Sequence, residues 1–245
     1  MTLKRWTLLL LASAALLLPL GAADPAPPDR EAAYRANNLG VALLEQFRPG
    51  EAAAAFRRAL AIDPQLGPAR INLATALFYV PDLPGARAAA EEAAAAQPAA
   101  LQPPYILGLI ARMENRADDA VSSLRRVLAV DPQDVGANLT LGQVYLQQRR
   151  YEEAIACFRA AGAVEPYNAS AQYNLGVALI RAGRREEGAR ATARFQELRE
   201  NPAHTSFGQA YLEQGRYAEA VASTGAEADL VDARPPEVAF VDATA

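Results

Sequence analysis

The sequence predicts an all-α protein built as a solenoid of five to six helix-turn-helix repeats. Three observations predict this fold class: an internal period of 34 residues, helical spacing of apolar residues within each period, and a proline that closes each of the first four periods. The period is marked by small residues that each follow a leucine, at Gly40, Ala74, Gly108, Gly142 and Gly176.

Each period has the spacing of two amphipathic helices. A second small residue stands twelve positions after the first, at Ala52, Ala86, Ala120, Ala154 and Gly188. In the fourth period Ala154, Ile155, Phe158 and Ala161 form an apolar stripe that needs a partner helix. The closing prolines remove an amide donor and stop the second helix, at Pro64, Pro98, Pro132 and Pro166. In the fifth period Glu200 stands where the proline is due.

These positions resemble the tetratricopeptide repeat, whose pattern is matched by Leu141, Gly142, Tyr145, Ala154, Phe158, Ala161 and Pro166. The resemblance implies a right-handed superhelical solenoid that binds protein and performs no chemistry. The predicted repeats span residues 33–66, 67–100, 101–134, 135–168, 169–200 and 201–224. The sixth is weaker and recovers the pattern with a shift of two residues, at Phe207, Gly208, Tyr211, Gly215, Tyr217, Ala220 and Val221, so it is expected to cap the solenoid.

The N-terminus has the organisation of a bacterial signal peptide. Lys4 and Arg5 precede an apolar run over residues 6–20, and small residues lead to a predicted cleavage after Ala23. A cleaved leader predicts a periplasmic or secreted protein. The alternative is an uncleaved transmembrane anchor, because the apolar run approaches the length that crosses a bilayer.

The segments that flank the repeats are predicted to be irregular. Residues 24–32 read as a linker, and residues 225–245 lose helical periodicity. The last six residues resemble the opening of the FG-GAP/ASPIC-UnbV region that follows the repeats in some tetratricopeptide proteins: Phe240, Val241, Asp242, Ala243, Thr244 and Ala245. That resemblance implies that the chain is the leading part of a longer protein, or the product of a gene that stops early.

The resemblance also implies a concave groove lined by the second, fifth, ninth and twelfth positions of each repeat. The second positions are Tyr34, Pro68, Gln102, Gly136 and Ser170. The sixteen residues predicted to form the protein-binding groove are Tyr34, Asn37, Val41, Leu44, Ile71, Thr75, Phe78, Tyr105, Leu109, Arg112, Leu139, Gln143, Leu146, Tyr173, Val177 and Ile180. The set is apolar and aromatic, which suits an extended segment or an amphipathic helix of a partner protein. Tyr105 and Tyr173 are the strongest individual candidates. The alternative is that such aromatics pack between repeats or contact the chain's own termini.

Asparagines recur at the sixth position, at Asn38, Asn72 and Asn174. Their amides are expected either to bond the backbone of a ligand or to bond neighbouring helices. Asn37 and Val41 stand where a chaperone-type carboxylate clamp requires Lys and Asn, so that kind of ligand is not expected.

Composition argues against several function classes. The net charge is −4 and no basic block is present, which argues against nucleic-acid binding. A single histidine, His204, and a single cysteine, Cys157, argue against a multi-histidine or cysteine-based metal site, a cofactor and catalysis.

The predicted function is therefore an extracytoplasmic scaffold or adaptor whose partner is a protein or peptide, with membrane association only if the leader is uncleaved. Two alternatives stay open. One is a docking or regulatory arm of an enzyme or of a larger protein, and the other is a structural envelope component that self-associates through the ends of the solenoid.

Overall fold

The computed structural model describes residues 29–221, so the predicted leader and the FG-GAP-like tail lie outside the described residues. The described part contains ten α-helices: α1 Arg30–Glu45, α2 Pro49–Ile62, α3 Gly67–Phe78, α4 Leu83–Ala96, α5 Gln102–Met113, α6 Ala117–Val130, α7 Val135–Gln147, α8 Tyr151–Val164, α9 Ala169–Arg181 and α10 Arg185–Glu200. A 3-10 turn follows at Arg216–Ala218. The predicted all-α repeat fold is confirmed.

The helices stack in two layers. Each helix packs against its neighbours along the chain, and the odd-numbered helices also contact one another across repeats, α1 with α3, α3 with α5, α5 with α7 and α7 with α9. The odd helices therefore form the inner, concave layer. None of the helices within residues 29–221 combines the length and apolarity that crossing a bilayer requires.

The recurring glycine allows the two helices of a repeat to approach closely. A Cβ atom added at Gly142 would lie 2.5 Å from Cε1 of Phe158, and one added at Gly40 would clash with Phe56 in the same way. Both rings are fully buried. The small residue on the first helix thus provides the space that the ring of the second helix fills.

Four of the five inter-helix turns share one backbone conformation. Their left-handed residue recurs at intervals of 34 residues or twice that, at Phe47, Asn115, Arg149 and Gly183. Pro81 occupies the corresponding place in the second repeat, and its ring forbids a positive φ. There the Asp82 amide donates to the Val80 carbonyl at 2.7 Å, and the Asp82 side chain accepts from the Gly85 amide, which caps α4.

Three outer helices begin with a pair of acids, at Asp118 and Asp119, Glu152 and Glu153, and Glu186 and Glu187. An arginine just before the helix pairs with the acid three residues on, as in Arg150 with Glu153 and Arg184 with Glu187. These arginines lower the pKa of both glutamates by direct hydrogen bonds. The acids therefore interact with the helix dipole and the arginines at an exposed surface.

The sixth repeat predicted over residues 201–224 does not form a helical hairpin. α10 runs 16 residues to Glu200, two more than α8, because the closing proline comes late, at Pro202. Beyond it no described residue is α-helical up to Val221. A sixth hairpin would pack only on α9 and α10, whereas the path that the chain takes buries Tyr211 and Ala218 against the inner layer.

Candidate functional site

The concave groove is occupied by the chain itself. Residues 205–221, which we call the return segment, lead back from α9 towards α3 along the inner helices. At the start, the Ala169 amide donates to the Thr205 carbonyl at 2.8 Å, and the Thr205 amide donates to the Tyr167 carbonyl at 3.1 Å. At the end, Val221 lies against Asn72. The segment therefore crosses repeats five to two in reverse order.

Asn72 forms hydrogen bonds to the backbone of the return segment through both the oxygen and the nitrogen of its side-chain amide. Its Oδ1 accepts from the Val221 amide at 2.6 Å, and its Nδ2 donates to the Val221 carbonyl at 3.0 Å. Of the other sixth-position asparagines, Asn174 donates to the Ser170 carbonyl of its own helix, and Asn38 accepts from its neighbour Asn37. The expected bond to a neighbouring helix is made by Asn72, whose Nδ2 also donates to Oδ1 of Asn37 on α1 at 3.0 Å. Of the three, only Asn72 holds the backbone of the return segment, which belongs to this chain and not to a ligand.

Two tyrosines of the inner layer also donate to backbone carbonyls of the return segment. The Tyr105 hydroxyl donates to the carbonyl of Gln214, and the Tyr79 hydroxyl donates to that of Ala218 at 3.2 Å. Tyr79 also meets Tyr211 edge to face, with ring centroids 5.4 Å apart. Burial raises the pKa of both inner-layer hydroxyls, so they stay protonated and available as donors.

An acidic pair holds the arginine of the return segment. Arg216 donates through Nε to Asp134 at 3.1 Å and through its terminal nitrogen to Asp131, which also accepts from the Tyr217 hydroxyl at 2.8 Å. Burial raises the pKa of the Asp134 carboxyl, while the hydrogen bond from the Ala137 amide acts in the opposite direction. One cation thus faces two carboxylates of the loop between α6 and α7.

The backbones of α7 and the return segment cross at two glycines. A Cβ atom at Gly136 would lie 3.2 Å from both the Gln214 oxygen and the Gly215 Cα, and would clash with the Tyr105 hydroxyl. Gly215 itself has a φ of +89°, a conformation that side chains rarely adopt. The two backbones can therefore approach this closely only because the residues at the crossing, Gly136 and Gly215, have no side chain.

The sixteen residues predicted to line the groove divide by exposure. Nine are buried: Asn37, Val41, Leu44, Ile71, Thr75, Phe78, Tyr105, Leu109 and Leu139. Five are half-buried: Tyr34, Arg112, Gln143, Leu146 and Val177. Tyr173 and Ile180 are exposed. Tyr105 lies beneath the return segment and is therefore not accessible to a partner in this arrangement. This agrees with the alternative that some of these aromatic side chains contact the chain itself.

Several residues that contact the return segment were missed by sequence reasoning. Tyr79 lies one place beyond the predicted twelfth position, and Asp131 and Asp134 lie between repeats. The only sequence feature that could have pointed to these contacts was Arg216, which follows Gly215 in the weak sixth repeat and could pair with acidic residues. Arginine after the turn glycine is also what a true repeat shows, as at Gly183 and Arg184, so the signal was ambiguous.

One part of the groove stays open beside α9. A cavity of about 430 Å³ is bordered by Tyr173, Phe195, Arg199 and His204 among others. The Tyr173 ring is about half exposed and lies 5.3 Å from that of Phe195, measured between centroids. His204 is exposed, and its Nδ1 lies 2.8 Å from the Asn201 carbonyl. An aromatic, accessible surface therefore borders the start of the return segment.

Cys157 is half-buried on α8, and burial raises the pKa of its thiol to about 11. The thiolate is the reactive form, so at pH 8 the folded protein should react with iodoacetamide about 100-fold more slowly than the urea-unfolded chain. The rate of alkylation, followed by mass, tests this. Equal rates in the two states would show that the thiol is not shielded.

Comparison with known proteins identifies the same repeat architecture. Models of the tetratricopeptide repeat match residues 33–66, residues 111–166, and residues 71–135 with 139–202. The last of these alone covers more than half of the chain. No curated protein sequence matches.

Solved structures match at low sequence identity. MamA from Desulfovibrio magneticus RS-1, residue 41 to the end, is 20% identical, covers 73% of this chain and 99% of its own, and has a TM-score of 0.64. A double mutant of the RS-1 MamA has a TM-score of 0.65 with the same identity and coverage. YrrB, a TPR protein with an unusual peptide-binding site, is 21% identical over 71% of this chain and 90% of its own, with a TM-score of 0.58. At these identities the likeness concerns the fold.

Proposed function

This chain belongs to the tetratricopeptide-repeat family, and on that premise we propose that it is a protein-interaction scaffold whose concave groove binds a peptide or helical segment of a partner protein. The observation that carries the proposal is the return segment. Side chains of α3, Tyr79 just beyond it, and α5 hold the backbone of this irregular segment, which includes bends and a 3-10 turn, by hydrogen bonds to its carbonyl and amide groups. Such bonds do not depend on sequence, so they suit peptide binding in general.

The open surface beside α9 is the proposed first contact for the partner. Tyr173 and Ile180 are the exposed members of the predicted groove set. Large exposed aromatics suit interfaces because they bury much area at a low cost in conformational entropy. The similar structure YrrB has a peptide-binding site, which is consistent with the same class of ligand here. Binding by shape and hydrogen bonds involves no chemical step.

Affinity capture from a bacterial envelope extract tests the proposal. The chain from residue 24 is compared with the double variant Tyr173→Ala/Ile180→Ala, and the matched control is Phe47→Ala/Val130→Ala, which also truncates one exposed aromatic and one exposed aliphatic side chain. We expect the parent and the control to capture a common partner and the groove variant to lose it. Equal capture by all three would place binding elsewhere, and no capture by the parent would contradict a scaffold.

The proposal includes an extracytoplasmic place of action, which rests on residues 1–23. N-terminal sequencing of the protein from fractionated cells tests this part. A periplasmic or secreted form that begins at Asp24 supports it, whereas a chain that keeps Met1 in the membrane fraction favours the anchored alternative.

A further inference from the structure

We propose that the groove recognises a partner segment of the type glycine-arginine-aromatic, and that the return segment holds this same site until such a partner segment displaces it. The inference rests on the proposed function and deepens it, because it specifies the chemistry of the ligand and how access is controlled. Three features of the described residues carry it.

The first feature is the acidic pair. Asp134 is almost fully buried and Asp131 partly so, and Arg216, the cation that faces them, keeps about 60% of its side chain in solvent. A ligand that replaces the return segment without a cation would leave both carboxylates without their facing charge, and Asp134 would keep only its hydrogen bond from the Ala137 amide. Arginine suits the site better than lysine, because its planar fork donates to both carboxylates at once.

The second feature is the aromatic residue after the arginine. Tyr217 donates from its hydroxyl to Asp131, and its ring lies 6.1 Å from that of Tyr105 between centroids. The Arg216 guanidinium also lies over the Tyr217 ring, 5.0 Å from the centroid of that ring. The arginine and the aromatic residue therefore bind as one unit.

The third feature is the glycine before the arginine. Gly215 crosses Gly136 so closely that a Cβ on Gly215 would lie 3.0 Å from the Gly136 Cα. The positive φ at this place independently favours glycine. The crossing therefore excludes ligands that carry a larger residue directly before the arginine.

The return segment is attached in a way that allows displacement. It is joined to α10 only by a short turn, and six of its seventeen residues are exposed apart from Arg216 itself: Thr205, Ser206, Gln209, Ala210, Leu212 and Glu213. Leu212 has a φ of +72° with about half of its side chain in solvent, an unfavourable conformation for leucine. The segment can therefore leave while the stacked helices α1 to α10 keep their mutual contacts.

The test uses a fluorescein-labelled peptide with the sequence of residues 205–221 and the chain from residue 24. In the parent the tethered segment competes at high effective concentration, so the peptide should bind poorly. Gly215→Val places a β-branched residue at the positive φ and so releases the tethered segment, while every groove residue stays intact. We expect fluorescence anisotropy to give a Kd at least tenfold lower for this variant than for the parent.

The control peptide carries Arg216→Glu and should bind the released variant at least tenfold more weakly than the native peptide. Equal binding of the native peptide to parent and variant, no binding to either, or equal binding of both peptides would each overturn the inference. If circular dichroism shows that Gly215→Val unfolds the helices, Arg216→Glu in the chain serves as the releasing change. Envelope capture with the Tyr173 and Ile180 variant does not use this peptide, so the proposed function can stand or fail separately.

Discussion

Phe158→Ala is expected to lower the free energy of unfolding by about 3–5 kcal/mol, the usual range for truncating a buried phenylalanine. The ring is fully buried, and its edge lies in the space that Gly142 leaves on the facing helix. Alanine would leave a cavity between the two helices of the fourth repeat, which the rigid stack of neighbouring repeats cannot close. Urea unfolding followed by circular dichroism measures the loss.

The matched control is Phe47→Ala, because it removes the same side chain from a turn where most of the ring is in solvent. Phenylalanine and alanine tolerate the left-handed backbone at position 47 to a similar degree. The free energy of unfolding should therefore change by no more than about 0.5 kcal/mol. A loss at position 158 no larger than that at position 47 would contradict the packing of ring against glycine that repeats through the solenoid.

Gly136→Val is expected to expel the return segment while the helices remain folded. The added Cβ would clash with the Tyr105 hydroxyl and would approach the Gln214 oxygen and the Gly215 Cα at 3.2 Å. Trypsin cleavage after Arg216, read from the mass of the released C-terminal fragment, should become at least about tenfold faster, since cleavage follows the population of the open form. Helicity should be unchanged.

Gly50→Val provides the comparison, because Gly50 lies near the start of α2 with open space around its Cα. It introduces the same residue into a helix without touching the groove, so cleavage after Arg216 should stay at the parent rate. If Gly50→Val accelerates cleavage as much as Gly136→Val does, the effect is a general loss of stability and the crossing of the two glycines does not hold the segment.

The fold was predictable from sequence because its determinants are local and repeated. The small residue, the ring and the proline of each period specify two helices and a turn, and all five hairpins confirm this. The second-repeat turn shows how a local exception can also be read from sequence, since Pro81 cannot take the left-handed conformation used elsewhere. α10 likewise ends late where proline is late.

The arrangement of the groove was less predictable because it depends on contacts between distant residues. Residues 201–221 keep features of a repeat, including a left-handed glycine followed by arginine, so the local pattern favoured a sixth hairpin. What decides their path is a sum of distant contacts, such as Asn72 with Val221 and Asp131 with Arg216, across 149 and 85 positions. The sequence pattern contains no information on which of these pairs meet.

Hydrogen exchange of the chain from residue 24, read by mass spectrometry over residues 205–221, tests the central claim most directly. The account predicts protection of the Phe207 and Val221 amides, which donate to Ser170 and Asn72, and loss of that protection in Gly136→Val. Exchange of the whole segment at the rate of an unstructured peptide in the parent protein would contradict a groove occupied by the chain's own C-terminal region.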